Sequence, residues 1–171
     1  LVQLNDTRKH RFTPERIALL ERLSDSLAIG IAHRQDQTQL QENEERLRLA
    51  LAGANQGLYD LNVQTGAAVV SPEYARMLGY EPEELRETNA AWRDRLHPDD
   101  RGEAFQVYQD YIAGRREEYR VEFRQRTKAG DWKWILSLGR LVARDAEGKP
   151  LRLLGTHTDI TERKLAEESI R

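Results

Sequence analysis

From Pro14 onward the chain places apolar residues at Ile17, Leu20, Leu23, Leu27 and Ile31, the three-and-four spacing of one helix face. Thr13 supplies an N-cap, Pro14 suits the first helical position and Glu15 puts negative charge in the first turn. Phe12 is placed to staple onto Ile17. The stretch "HRQDQTQLQENEER" then carries only Leu40 as a large apolar residue, and the stripe resumes at Leu47, Leu51 and Ala54. Neither proline nor glycine interrupts residues 31–52, so the pattern predicts a helix of about 35–40 residues, long for a lone globular helix. The two stripes do not share a register, because the phase slips between Ile31 and Leu40. The polar middle therefore reads as a connector, and pairing with its copy would make an imperfect coiled coil.

Beyond Gly53 the period changes. "GLYDLNVQTGAAVVS" predicts two short strands around a Thr65–Gly66 turn. In "SPEYARMLGYEPEEL", Ser71 caps a short helix, Pro72 opens it and Gly79 stops it, and Pro82 opens a second brief helix through Leu85. "WRDRLHPDDRGEAFQVYQDYIAG" leads through a capped turn into a helix from about Pro98 to Ile112, with Phe105, Tyr108 and Ile112 on its apolar face. The last third alternates with period two. Tyr119, Val121 and Phe123 share one face of a strand. Trp132, Trp134, Leu136 and Leu138 share one face of the next, and Leu151, Leu153, Thr156, Thr158 and Ile160 trace a final strand. Ile135 and Leu154 interrupt the polar faces of their strands, which fits a sheet covered on both sides. At the other end, Leu1, Val2 and Leu4 read as the last strand of an element mostly missing. A chain beginning with Leu reads as an excised segment.

Apolar residues at 39% permit a core, while 33% charged residues require a well-exposed polar element, which the long helix supplies. A net charge of -2 from 27 basic and 29 acidic residues excludes a nucleic-acid footprint. The sequence has no cysteine, and so no disulfide, thiolate metal site or cysteine nucleophile. No apolar run reaches membrane-spanning length, and no signal peptide stands at the start. These features together predict a cytoplasmic segment without membrane contact.

Chemistry-bearing residues are few. His97, Pro98, Asp99, Asp100 and Arg101 invite a metal or general-base reading. Adjacent acids behind a proline, however, are what a helix start requires. His157 faces away from Thr156 and Thr158, toward a sheet side that a flanking helix could use, and His10 and His33 stand in polar, solvent-facing stretches. Trp132, Trp134, Phe123 and Leu136, with Met77, Tyr59 and Leu96, form either a ligand cleft between sheet and helices or a filled core. No phosphate-binding glycine loop is present, and no enzyme active site can be argued from this segment. In "GTHTDITERKLAEE" a strand turns within three residues into a helix. Either Thr161 caps that helix, or Asp159 caps it with Glu162 as the reciprocal N3 residue. An 11-residue helix alone is marginal, so the chain is expected to continue.

The strings "GLYDLNVQTG", "SPEYARMLGY", "LHPDDR", "KAGDWKWI" and "GTHTDITERK", in that order, make residues 46–160 resemble a PAS domain of the large subclass followed by its PAC motif. The first 38 residues resemble the C-terminal tail of a GAF domain. The organisation expected is a GAF-like remnant over 1–38, a helical linker over 39–52, a PAS/PAC sensor domain over 53–160 and the start of an output helix over 161–171. The resemblance implies an α+β fold: a five-stranded antiparallel sheet with short helices on one face, preceded by the long connector helix. It implies a non-enzymatic sensor, often a homodimer through its flanking helices, upstream of a histidine kinase, a diguanylate cyclase or a phosphodiesterase. It also implies that Asp159, Thr161 and Glu162 carry conformational change to the output helix, with a passive dimerisation spacer as the alternative. Family ligands include haem, flavin and small acids or aromatics. The lack of a His over residues 99–113 disfavours haem, and the lack of cysteine disfavours a cysteinyl-flavin adduct, so the ligand stays unassigned.

Overall fold

The computed structural model describes residues 13–170. The strand expected from Leu1, Val2 and Leu4, the Phe12 staple and His10 lie outside the described residues. Two compact units divide between Arg48 and Leu49.

Helix α1 (Pro14–Gly53) is continuous over 40 residues, as the uninterrupted pattern predicts. It begins at Thr13, whose hydroxyl accepts the Arg16 N–H at 3.4 Å and whose carbonyl accepts the Ile17 N–H at 3.0 Å. Of the apolar stripe, Ile17, Leu23, Leu27, Ile31, Leu40 and Leu47 are exposed, whereas Leu51 is buried.

The second unit is built on strands β1 (Gln56–Asn62), β2 (Ala68–Val70), β3 (Tyr119–Arg126), β4 (Trp132–Arg144) and β5 (Pro150–Asp159). Among the described residues these form one antiparallel sheet in the order β2-β1-β5-β4-β3. The β1–β2 turn closes because the Asn62 side chain accepts the N–H groups of Gln64 and Thr65, while Gly66 takes the left-handed φ of 74°. Helices α2 (Pro72–Met77), α3 (Asn89–Arg95) and α4 (Pro98–Ile112) cover one sheet face. Ser71 caps α2 by accepting the Tyr74 N–H. The α+β fold expected from the resemblance, with its five-stranded antiparallel sheet and long preceding helix, is therefore present.

Three local expectations need correction. Pro82 opens no helix: residues 82–84 form a single turn, closed by the Glu84 N–H on the Glu81 carbonyl at 3.0 Å. The segment before His97 is more than a capped turn. It holds α3, started by Thr88 accepting the Ala91 N–H at 3.0 Å. The third correction concerns the long β4 strand. Trp132, Trp134, Leu136 and Leu138 do share a face, but it is the one turned away from α2–α4. The buried residues of β4 are Ile135 and Ser137.

The reason lies in one cross-strand row. Tyr59, Gly155, Gly139 and Tyr119 are register neighbours across β1, β5, β4 and β3. Two glycines in the middle strands leave room for two tyrosine rings from their flanks, and a Cβ at Gly155 would stand 2.3 Å from the Tyr59 hydroxyl. Ser137, Gly139, Gly155 and His157 must then face inward, and the tryptophans outward. The core consists of Tyr59, Leu61, Val121, Phe123, Ile135 and Leu153 from the sheet, with Tyr74, Leu78, Trp92, Leu96, Ala104, Val107 and Tyr108 from the helical side. Each large side chain so buried contributes roughly 1.5–3 kcal/mol.

Candidate functional site

Between the sheet and its helices lies a partly open cavity of about 40 Å³. Tyr59, Leu61, Leu153, His157 and Tyr119 form its floor. Tyr74 of α2, Trp92 of α3 and Tyr108 of α4 form the walls, with Glu87, Thr88, Asn89 and Ala68 at one end. A water needs roughly 10–15 Å³ on this measure and a benzene-sized cavity is about 150 Å³, so the space suits two or three waters. Anything larger requires the walls to part.

The interior polar groups are set by burial. His157 stacks on Tyr74 at a centroid distance of 4.8 Å and meets the edges of Tyr59 at 5.1 Å and Phe123 at 5.5 Å. Burial, with the nearby Arg95 charge adding to it, pushes the imidazole down to about 3, so it is neutral. Its Nδ1 and the Trp92 Nε1 are buried atoms without a protein hydrogen-bond partner. Glu87 is also buried. Its carboxylate accepts from the Tyr74 hydroxyl at 2.9 Å, from the Thr88 N–H at 3.0 Å and from the Arg95 guanidinium. Burial raises the Tyr74 phenol well above its ordinary value, and the Glu87 charge adds to the effect.

Of the residues expected in a cleft, Tyr59 lines this cavity. Leu96 and Phe123 are fully buried in the core beside it, and Met77 is partly buried against that core. Trp132, Trp134 and Leu136 are on the opposite sheet face. Alternation showed that they belong together, but period two carries no sign for inward and outward. His157, expected against a flanking helix, lies in the interior instead. Tyr108 and Tyr119, which the pattern places on apolar faces but not in a cleft, also line the cavity, and Glu87 and Trp92 do so without any sequence signal having marked them. The one available cue was an acid directly before the capping Thr88, and it does not announce a buried Arg95 partner.

At the far end of β5 the strand is tied to helix α5 (Thr161–Ser169). Asp159 Oδ1 accepts from the Thr161 N–H at 3.0 Å and from its hydroxyl at 2.6 Å, and Oδ2 accepts from Lys133 Nζ at 2.7 Å. The Thr161 hydroxyl oxygen in turn accepts the Trp134 N–H at 3.0 Å, and Ile160 donates its N–H to the Trp134 carbonyl at 2.9 Å. Burial alone would raise the Asp159 carboxyl. The Lys133 ammonium and the Thr161 bonds outweigh it and hold the group below its ordinary value. Neither capping alternative holds in full, although Asp159 does accept the Thr161 N–H as the second one expects. The cap position belongs to Ile160, which has no side-chain bond, so Thr161 is the first helical residue. Glu162 is the second and is exposed rather than folded back at N3.

The His97–Asp100 motif starts a helix. His97 Nδ1 accepts the Asp99 N–H at 3.2 Å. Asp100 receives Arg124, and among the described residues no group of three or more metal-ligating side chains comes together.

A sheet with helices on one face, an aromatic interior cavity and a C-terminal helix bonded to the sheet can be compared with known proteins. Residues 67–157 match the family described as the PAS fold. The chain belongs to the PAS-fold family. In solved structures this PAS domain is similar to a sensory box histidine kinase/response regulator from Burkholderia thailandensis, with 38% identity and a TM-score of 0.64 over 74% of this chain and 92% of that one. It is 30% identical over 127 residues to a blue-light-activated histidine kinase of Brucella anthropi, covering 74% of this chain and 25% of that protein. It is 32% identical over 146 residues to the two-component sensor PprA of Pseudomonas aeruginosa, covering 80% of this chain and 15% of that protein. The chain thus spans a quarter or less of the curated relatives it matches. Among the described residues no helix is long and apolar enough to cross a membrane.

Proposed function

We propose that this PAS domain is a sensory or regulatory module. It takes a cue from a small molecule in its cavity or from the helix that enters it, and it passes that cue through α5 to a C-terminal output domain. The observation that carries the reading is the junction at Asp159. One carboxylate joins β4, through Lys133, to the first residue of the exit helix, and the Trp134 backbone binds both Ile160 and Thr161. A shift of β4 or β5 therefore changes the starting position of α5 directly. Thr161 is the receiving residue in this reading, and Glu162 favours the positive end of the helix.

The two-component relatives make a histidine kinase the favoured output, ahead of a diguanylate cyclase. The GAF-like reading of residues 1–38 and the PAC reading of the last strands belong to the same proposal. The exposed stripe of α1 supports a homodimer through the flanking helices. The test is Asp159→Ala in the full-length parent protein. Removing a carboxylate with three bonds is expected to destabilise the junction by about 1.5–3 kcal/mol. Basal or stimulated output, read as autophosphorylation or nucleotide cyclisation, is expected to change severalfold while the sheet stays folded by circular dichroism. Unaltered output with a folded sheet would make the module a passive spacer.

A further inference from the structure

Trp134, which the sequence places in the interior, occupies a different position of consequence. Its backbone already carries two bonds of the exit junction. Its indole, on the outer sheet face, is approached by cations from two other elements. Arg124 of β3 has its Cζ 5.2 Å from a ring centroid of the indole, and Lys164 of α5 has its Nζ 4.9 Å from one. Both lie within cation–π reach of about 6 Å.

Neither cation is loose. The Arg124 guanidinium is held by Asp100, in the first turn of α4, through Nε–Oδ2 at 2.9 Å and a terminal nitrogen on Oδ1 at 2.7 Å. Asp100 Oδ2 also accepts the Arg124 backbone N–H at 2.8 Å. Such a two-pronged pair fixes orientation as well as distance. On the other side, Lys164 Nζ meets Glu122 at 2.8 Å, and Glu122 also takes Arg163 at 2.9 Å. Glu122 and Arg124 alternate along β3 and so share the outer face with Trp134.

An unbroken series of contacts thus runs from α4 through Asp100, Arg124 and the Trp134 ring to Lys164 on α5. Its upstream end is meaningful because Tyr108 of the same α4 is a wall of the cavity. We propose that Asp100, Arg124 and Trp134 form a relay by which α4, moving as the cavity walls part, sets the docking of α5 on the sheet, with Trp134 as the positioning residue. The relay rests on the reading of α5 as the output helix. It also gives the His-Pro-Asp-Asp motif a task beyond starting a helix. Contiguity alone does not demonstrate coupling, so the test must measure coupling itself.

Hydrogen exchange on the full 171-residue chain does so, read at α5 amides such as Lys164, whose N–H donates to the Ile160 carbonyl at 3.0 Å. The β5 amides serve as the internal reference for global stability. Asp100→Ala and Lys164→Met are each expected to speed α5 exchange about two- to fivefold relative to β5, the size of a partly exposed cation–π contact. The double variant is expected to gain no more than the Lys164→Met effect, because Asp100→Ala reaches α5 only through the ring contact that Lys164→Met has already removed. Trp134→Leu should reproduce the acceleration and cancel any further effect of Asp100→Ala. Multiplying effects in the double variant, or α5 exchange unmoved relative to β5 in Asp100→Ala, would overturn the relay. If Asp100→Ala unfolds the chain, Arg124→Gln carries the same comparison with Lys164→Met. An additive pair there refutes the relay even if Asp159→Ala alters output. Unaltered output in Asp159→Ala refutes the output reading even if the exchange effects are coupled.

Discussion

Gly155→Ala is expected to lower stability by at least about 3 kcal/mol, at the upper end of what overpacking usually costs. A Cβ at this position would stand 2.2 Å from the Leu138 carbonyl oxygen, 2.3 Å from the Tyr59 hydroxyl and 2.4 Å from the Tyr59 ring. The first of these atoms belongs to the paired strand β4 and cannot rotate away. Relief requires parting β4 from β5 or tilting Tyr59 out of the core. For a chain of this length the loss corresponds to a drop in Tm of roughly 6–12 °C. Gly139 supplies the contrast. The three atoms nearest to a Cβ there all belong to side chains, the Tyr59 hydroxyl at 2.6 Å, Tyr119 at 2.9 Å and Leu153 at 3.3 Å. Gly139→Ala should therefore be milder and should recover in part when Tyr59→Leu is added, whereas Gly155→Ala should stay destabilised in the Tyr59→Leu background. Thermal melts of the two glycine variants, Tyr59→Leu and the two double variants decide it, and equal rescue of both glycine variants would refute the backbone clash.

Acid is expected to destabilise the domain well before its carboxylates titrate. The His157 imidazole has an ordinary value of 6.5, which burial and then Arg95 push down to about 3 in the fold. The unfolded chain takes the proton first. The stability due to neutral His157 is complete above about pH 6.5 and falls with pH at about 1.4 kcal/mol per unit until the folded group itself titrates. Asp100, Glu122 and Asp159 are also held below their ordinary values, so their contributions have the same sign but fade only at lower pH. Between about pH 6.5 and pH 5.5 the slope therefore comes from the histidine, before the carboxyl groups of the unfolded chain take up protons. Urea unfolding across that range should show it in the natural chain and show it flattened in His157→Phe. The same slope in both proteins would mean that His157 does not remain neutral in the fold.

These two residues also show where reading the chain succeeds and stops. His157 is correctly placed opposite Thr156 and Thr158 by strand alternation, yet its burial against Tyr74 comes from a helix more than 80 positions earlier. Gly155 looks like an ordinary strand glycine until Tyr59 is laid across it. Trp132, Trp134 and Leu136 form a convincing apolar face by pattern, and large aromatics argue for the interior. Small partners at Ser137 and Gly139 decide against it. The outward Trp134 is then partly covered by Arg124 and Lys164, a covering that no local pattern records. At the exit junction, Asp159 and Thr161 were legible as a linked pair. The observed arrangement, which follows neither capping scheme in full, was not, because part of its bonding comes from Lys133 and Trp134 on the neighbouring strand.

What the sequence alone determined was most of what neighbours a few positions apart govern, the missed α3 and the helix expected at Pro82 excepted. That includes the long uninterrupted helix, the caps at Thr13 and Ser71, the helix start at Pro98, the turn at Gly66, the strands and the residues sharing each face. Tertiary structure alone decided which face turns inward, which polar groups lose water and which charges meet. Those outcomes depend on volumes and charges brought together across strands and helices, and a period of two or 3.6 residues carries no information about what lies on the other side.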